Sequence, residues 1–208
     1  MNAKIISISS TKGGTGKTTL AAGLASYYFR KGVDICVLDV DPNENLSRWI
    51  EGNPNGHLIN LQRVPNPEDL VDLTLSCAEK HEITIIDCAG FHSQSTLYAA
   101  SVSDLVLIPA RPSEDDVLEA IKTRQIIRTA AKMGKREVRH LVVLNAVQRG
   151  TLALRHARAR LAAFDMPVAV CDLRSSVNIA TVRFSCLSPL DMSPWNVDLP
   201  ELVAEIEG

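Results

Sequence analysis

Residues 10–19 combine side chains and backbone freedom suited to binding a phosphate group. The glycines at 13, 14 and 16 let successive N–H groups point into one concavity, where an anion binds. A lysine at 17 would reach the β- and γ-phosphates of a nucleotide, and a threonine hydroxyl at 18 would bind Mg²⁺. The stretch predicts a nucleotide site built from Gly13, Gly14, Thr15, Gly16, Lys17, Thr18 and Thr19.

The elements around this stretch agree with that interpretation. An apolar, strand-like run at 4–9 precedes it and a helix-like run at 20–28 follows it. Strand, glycine-rich loop and helix in this order form a phosphate-binding loop, with the positive end of the helix dipole at the anion. The alternative, a glycine-rich turn without a ligand, does not account for the Gly-Lys-Thr ending.

Four polar residues follow apolar runs elsewhere in the chain. Asp39 and Asp41 follow residues 33–38, Asp87 follows 83–86 and Asn145 follows 138–144. In an open α/β sheet, ligands lie at the carboxyl ends of the strands, and a nucleotide hydrolase needs an acid there for hydrated Mg²⁺. Asp87 is the candidate for that acid. In the alternatives, Asp87 is a solvated turn residue, Asp41 caps the next helix, and Asn145 is an ordinary turn former.

The apolar runs indicate the fold class. They lack clean alternation, as strands of a parallel sheet buried on both faces do, and helical segments separate them. We therefore expect an α/β fold: one three-layer domain over 1–208, with a mostly parallel sheet flanked by helices. Two expected strands are short, at 58–61 and 166–170. Helices are expected at 45–51, 66–80, 94–101, 113–133, 151–164, 176–183 and 200–206.

Composition sets further limits. The chain has 208 residues, of which 46% are hydrophobic and 22% charged, as in ordinary globular domains. No apolar run approaches the ~20 residues that span a bilayer, and no signal peptide precedes the first strand. We therefore expect a cytoplasmic protein without membrane contact. The five cysteines lack paired metal-site spacing and are expected to be reduced.

The loop departs from the general phosphate-loop pattern at two positions. Thr11 stands where glycine is usual, and Lys12 is an additional lysine. Lys-Gly-Gly-x-Gly-Lys-Thr is a deviant Walker A motif, and with it the sequence resembles the ParA/MinD family of partition and positioning ATPases. The resemblance implies a P-loop NTPase fold, ATP and Mg²⁺ as ligands, and an ATP-bound homodimer in which Lys12 touches the partner's nucleotide.

The same resemblance assigns roles to the strand-end residues. Asp39-x-Asp41-Pro42 is similar to the family's second acidic motif, in which the first aspartate supports the magnesium shell and the second positions the attacking water. Asp87 corresponds to the Walker B acid, and Asn145 to the asparagine that contacts adenine. The implied catalytic residues are thus Lys12, Lys17 and Asp41, and the implied metal site comprises Thr18, Asp39 and Asp87.

The family also implies a biological role. We expect weak ATP hydrolysis stimulated by a ParB-like or other adaptor, and segregation or positioning of DNA or another large cargo. The chain looks like the short form, without an N-terminal helix-turn-helix. The run 39–49 also resembles ParA-like ATPases of conjugative DNA transfer. A metabolic ATPase is a weaker alternative because no cysteine pair or substrate pocket is recognisable, and MinD-type membrane binding is disfavoured by an acidic tail at 198–207.

A basic block occupies the second half of the chain. Between residues 117 and 160 there are 11 of the 22 basic residues and two acids. Solvated helix faces would explain it, but partition ATPases bind nucleoid DNA as dimers. We therefore expect ATP-dependent binding of double-stranded DNA without sequence preference, through residues that include Arg155, Arg158 and Arg160.

Overall fold

The computed structural model describes residues 4–90, 93–191 and 194–208. Its centre is a six-stranded sheet with strand order β3-β2-β4-β1-β5-β6, in which every neighbouring pair is parallel. The strands are β1 Ile5–Ile8, β2 Ile35–Asp39, β3 Asn60–Arg63, β4 Ile83–Asp87, β5 Leu105–Ala110 and β6 Arg139–Leu144. The parallel three-layer α/β fold predicted from the sequence is confirmed.

Eight helices lie in the described residues, five of them between successive strands and three after β6. They are α1 Lys17–Arg30, α2 Asn45–Gly52, α3 Leu70–Lys80, α4 Ser93–Val102, α5 Glu114–Gly134, α6 Leu152–Ala163, α7 Asn178–Phe184 and α8 Trp195–Glu207, with short 3-10 turns at Gly56–Leu58 and Pro67–Asp69. None of the helices in the described ranges is both long and apolar enough to cross a membrane.

Alternating side chains of the strands build a core on each face of the sheet. Ile35 and Val37 of β2 pack with α1, α2 and α8, whereas Leu38 of the same strand packs with α3 and α4. On the second face, β5 and β6 pack with α5 and α6. Because both faces are covered, the central strands are mostly apolar, as the sequence indicated, whereas the edge strand β3 has the polar sequence Asn-Leu-Gln-Arg.

The predicted last strand at 166–170 is wrong. Only one isolated bridge, between Val142 and Val168, links this segment to the sheet. Side chains occupy the backbone groups that a longer ladder would need. The guanidinium of Arg158 donates to the carbonyls of Ala169 and Val170, and the carboxylate of Glu205 accepts from the Val170 N–H.

Other boundaries differ from the prediction by a few residues. The strand expected at 58–61 begins two residues later and spans Asn60–Arg63. Its predicted first residue, Leu58, belongs to the 3-10 turn Gly56–Leu58 instead. The last helix begins five residues earlier than expected, at Trp195, and contains Pro200. Its apolar face includes Leu199 and Leu202, which are fully buried. This burial stabilises the helix despite the internal proline.

Candidate nucleotide-binding site

The loop between β1 and α1 has the conformation that its glycines permit. Gly14 and Gly16 have φ angles of 76° and 99°, in the left-handed region that L side chains rarely adopt. Helix α1 starts immediately after Gly16, with no side-chain cap and no acid in its first turn. Its first N–H groups and the positive end of its dipole are therefore available to an anion.

Lys17 points its ammonium group back into the loop. The side chain is buried, and its Nζ donates to the carbonyl of Lys12 at 2.9 Å. Burial lowers its pKa, and the nearby carboxylates of Asp87 and Asp41 oppose that shift. A Cβ on Gly90 would lie 3.0 Å from this Nζ and 3.3 Å from the Gly13 backbone, so the close approach favours glycine there. The ammonium is thus positioned where a phosphate could replace the Lys12 carbonyl as its acceptor.

Sheet register brings two of the predicted acids together. Asp39 and Asp87 end adjacent strands, β2 and β4, and are direct register partners. Asp39 is buried, and its Oδ2 accepts from the N–H and the hydroxyl of Ser47 at 2.8 Å each. Burial raises the pKa of Asp39, and the bonds from Ser47 oppose that shift. Asp39 is therefore fixed by α2 beside the second acid.

Asp87 is the buried acid of the site with the fewest hydrogen bonds to compensate its burial. Its residue is fully buried, and neither carboxylate oxygen has a hydrogen-bond partner among the described residues. Burial, with the neighbouring Asp39 charge, raises its pKa to about 8, while Thr18 and Lys17 act in the opposite direction. A buried carboxylate without partners is costly in free energy. A hydrated cation between Thr18 and Asp87 would satisfy it, so these residues fit the Mg²⁺ implied by the sequence.

Asp41 lies at the rim of the same site. Its Oδ1 accepts from the backbone and side-chain nitrogens of Asn43 at 2.9 Å each. The helix that follows has no side-chain cap at Glu44, and the first turn of that helix is bonded by Asp39 instead. The capping alternative considered for Asp41 is therefore wrong. Asp41 is also one of the residues that line the cavity beside the phosphate loop.

Lys12 lies outside the cavity in this structure. Its ammonium binds Asp116 Oδ1 at 2.6 Å, and Asp116 is only 4% exposed. The other carboxylate oxygen accepts from the Arg111 N–H at 2.9 Å. The bond to Asp116 raises the pKa of Lys12. Burial disfavours ionisation of Asp116, but the bonds from Lys12 and from the Arg111 backbone lower its pKa on balance. In the single chain, Lys12 is thus an internal ion-pair partner.

The Asn145 side chain is hydrogen-bonded to the phosphate loop. Its Nδ2 donates to the Thr15 carbonyl at 2.9 Å, and its Oδ1 accepts from the Ala146 N–H at 2.7 Å. A Cβ on Gly16 would lie 1.9 Å from that Nδ2. The contact with adenine stays a prediction, since the amide here bonds the loop itself.

A cavity of about 540 Å³ is lined by most of the residues that were predicted to bind the nucleotide. Two arginines that were not among the predicted site residues also line it. Arg111 follows β5 at the edge where the other strands end, and that placement could have indicated it. Arg183 lies in α7 and its guanidinium donates to Asn45 Oδ1 at 2.7 Å. The remaining lining residues are Gly13, Gly14, Gly16, Lys17, Thr18, Thr19, Asp41, Pro42, Asn43, Asn45, Ala89 and Gly90.

The predicted DNA-contacting arginines of α6 have different surroundings. Arg158 binds Asp172 at 2.6 Å, so its charge is already compensated within the chain. Arg155 is exposed, and Arg160 lies over the Phe164 ring, 5.2 Å from its centroid, while remaining exposed. DNA contact stays a prediction for Arg155 and Arg160. For Arg158, the structure gives a bond within the chain instead.

Comparisons with known proteins agree with this site. A family model described as the CobQ/CobB/MinD/ParA nucleotide binding domain matches residues 6–182. Protein ParA of Rhizobium radiobacter is 34% identical over 152 residues, which are 69% of this chain and 64% of that protein. The maintenance of carboxysome distribution protein A of Halothiobacillus neapolitanus is 22% identical over 171 residues, 81% of this chain and 78% of that protein.

A solved structure supports the fold. The cell division ATPase MinD of Pyrococcus furiosus matches with a TM-score of 0.79 at 21% identity, covering 98% of each chain. The match to the ParA relative, in contrast, spans less than two thirds of that protein's length.

Proposed function

The chain belongs to the CobQ/CobB/MinD/ParA nucleotide-binding domain family, and from this premise we propose that it is an ATP-dependent dimerising ATPase of ParA type. Its role would be to segregate or position DNA or another large cargo. The observation that supports nucleotide binding most directly is a buried acid beside an anion-binding loop. Within the described part of the chain, the Asp87 carboxylate accepts no hydrogen bond, and Lys17 and Thr18 lie beside it.

The residues divide the work of ATP binding between charge and orientation. The N–H groups of Gly13, Gly14 and Gly16 would bind phosphate oxygens, with Lys17 as the charged donor. Thr18 and Asp87 would bind Mg²⁺, which neutralises phosphate charge when it is bound. Ser47 fixes Asp39 beside this position, and Asp39 would orient water molecules of the metal's shell.

Hydrolysis in this proposal depends on Asp41. Its carboxylate is fixed by Asn43 at the rim of the cavity, where it would orient a water molecule toward the terminal phosphate. Lys12 would reach the partner's nucleotide only after leaving Asp116. Turnover of the isolated protein would therefore be slow, and a ParB-like or other adaptor would stimulate it.

ATP would be linked to dimerisation because the nucleotide forms part of the interface. A ligand that binds the dimer better than the monomer shifts the equilibrium toward the dimer. Two copies of the basic surface on α5 and α6 would then act on one duplex, and backbone contacts of that kind are sequence-independent. Exposed candidates include Arg128, Lys132, Arg155 and Arg160.

Sedimentation with ATP, with ADP and without nucleotide tests the proposal. Lys17→Ala should lose ATP binding because the phosphates lose their buried cation. Lys12→Ala should bind ATP and remain monomeric. Lys132→Ala, with the same chemical change on the exposed surface of α5, should behave as the wild type. A Lys12→Ala protein that dimerises normally with ATP would refute the switch.

A further inference from the structure

We propose that Arg111 is a phosphate-binding residue of the nucleotide site, contributed by the same chain that supplies the phosphate loop. This inference rests on the proposed ATP-binding function. It concerns a residue outside the glycine-rich motif, and it assigns to Arg111 the cationic contact that Lys12 does not make while Lys12 is bound to Asp116.

The position of the guanidinium is the first observation. Arg111 lines the cavity of about 540 Å³ together with Gly13, Gly14 and Lys17, whereas Lys12 does not line it. The Arg111 Nη2 lies 3.7 Å from the point that a Cβ on Gly14 would occupy. Gly14 and Arg111 are both exposed, so the guanidinium lies beside the solvent-facing side of the phosphate loop.

The bonding of Arg111 is the second observation. Asp116 Oδ2 accepts from its backbone N–H at 2.9 Å, which fixes the main chain where β5 ends. Among the described residues, no hydrogen bond or ion pair is formed by its guanidinium. The main chain is thus anchored while the charged end is available to a ligand. Arginine stays protonated at any ordinary pH and presents a planar set of donors that suits phosphate.

The loop geometry indicates which phosphates Arg111 would contact. In phosphate loops, the lysine at the position of Lys17 reaches the β- and γ-phosphates. The Lys17 Nζ lies near Gly13, because a Cβ built on Gly90 would be 3.0 Å from that Nζ and 3.3 Å from Gly13 Cα. The Arg111 guanidinium lies beside the adjacent Gly14. Asn145 packs instead against Gly16 at the other side of the loop. Arg111 therefore lies at the β,γ side, and its contribution should be larger for ATP than for ADP.

Arg128 provides a matched control outside the cavity. Its guanidinium carries the same charge, but it is exposed on α5 and does not line the cavity. A general effect of the protein's net charge would be removed equally by changing either arginine. A direct phosphate contact would be removed only by changing Arg111.

The test is calorimetric titration of the full chain with Mg²⁺ and either a non-hydrolysable ATP analogue or ADP. For Arg111→Gln, loss of a charge-assisted bond should raise the Kd of the ATP analogue about 10- to 100-fold, with a smaller effect on ADP. Arg111→Lys should recover part of the affinity, because lysine restores the charge without the planar donors. Arg128→Gln should change both Kd values less than about threefold, well below the tenfold that 1.4 kcal/mol produces.

The outcomes separate this inference from the proposed function. If the wild type binds ATP and Arg111→Gln binds it equally well, Arg111 is not a phosphate ligand and the proposed function is unaffected. Equal losses in Arg111→Gln and Arg128→Gln would also overturn the inference, in favour of a general charge effect. A wild-type protein that binds no ATP would overturn both. The melting temperature without nucleotide should be unchanged by Arg111→Gln, which excludes misfolding.

Discussion

Replacing Asp87 by asparagine should stabilise the protein at pH 8 in the absence of nucleotide and Mg²⁺. The carboxylate is fully buried and accepts no hydrogen bond from the residues that the structure describes, and its pKa rises from the ordinary 3.8 to about 8. Between these values the folded protein keeps a proton that the unfolded chain releases, so raising the pH favours unfolding. From pH 6 to pH 8 this one group should lower the free energy of unfolding by about 2 kcal/mol.

Urea unfolding in EDTA at pH 6 and pH 8 measures this effect. The wild type should lose about 2 kcal/mol more between the two pH values than Asp87→Asn does. Asp165→Asn is the control, since Asp165 is exposed in a left-handed conformation that asparagine also accepts. Equal pH dependence in the wild type and Asp87→Asn would refute the burial argument.

Mg²⁺ should reverse the advantage of the variant. A cation at Thr18 and Asp87 requires the charged carboxylate, so Mg²⁺–ATP binding at pH 7 should release a proton from Asp87. Calorimetry in two buffers of different ionisation enthalpy detects that proton. In Asp87→Asn the proton release should disappear and Mg²⁺ should no longer improve nucleotide affinity.

Three further variants test the catalytic, switching and DNA-binding residues. Asp41→Ala should bind ATP but hydrolyse it about 100-fold more slowly, so that an ATP-bound dimer accumulates in size-exclusion chromatography; hydrolysis at the wild-type rate would contradict this role. Asp116→Asn weakens the acceptor of Lys12 and should shift ATP-dependent dimerisation to lower protein concentration in sedimentation, whereas an unchanged dimer fraction would show that the ion pair does not restrain the switch. Arg155→Glu/Arg160→Glu should weaken binding to unrelated duplexes and reduce the slope of log affinity against log salt by about 1 for each lost phosphate contact; an unchanged slope would exclude α6 from the DNA surface.

The sequence predicted the residues of the site better than their bonds. Asp39 and Asp87 could be placed at one edge because parallel strands end there, and this needs only the apolar runs before them. Their direct pairing could not be predicted, because it depends on β2 and β4 being neighbours in the sheet. That order arises from the packing of the intervening helices on the two faces.

Most of the contacts in the site that the sequence did not predict join residues far apart in the chain. Lys12 and Asp116 are 104 residues apart, and Asn145 and Thr15 are 130 apart. No local pattern indicates either bond. The error at 166–170 has the same origin, since Arg158 and Glu205 bind backbone groups of an apolar run that would otherwise read as a strand.

Asp116 connects the two cations that would act on the nucleotide. One oxygen binds the Lys12 ammonium and the other binds the backbone of Arg111. Ser113 caps α5 by accepting from the Asp116 N–H, so the carboxylate is fixed to the start of a 21-residue helix. A displacement of this helix end would change the positions of Lys12 and Arg111 together. The start of α5, rather than the glycine-rich loop alone, is therefore the element through which an adaptor or a second subunit could act on both cations.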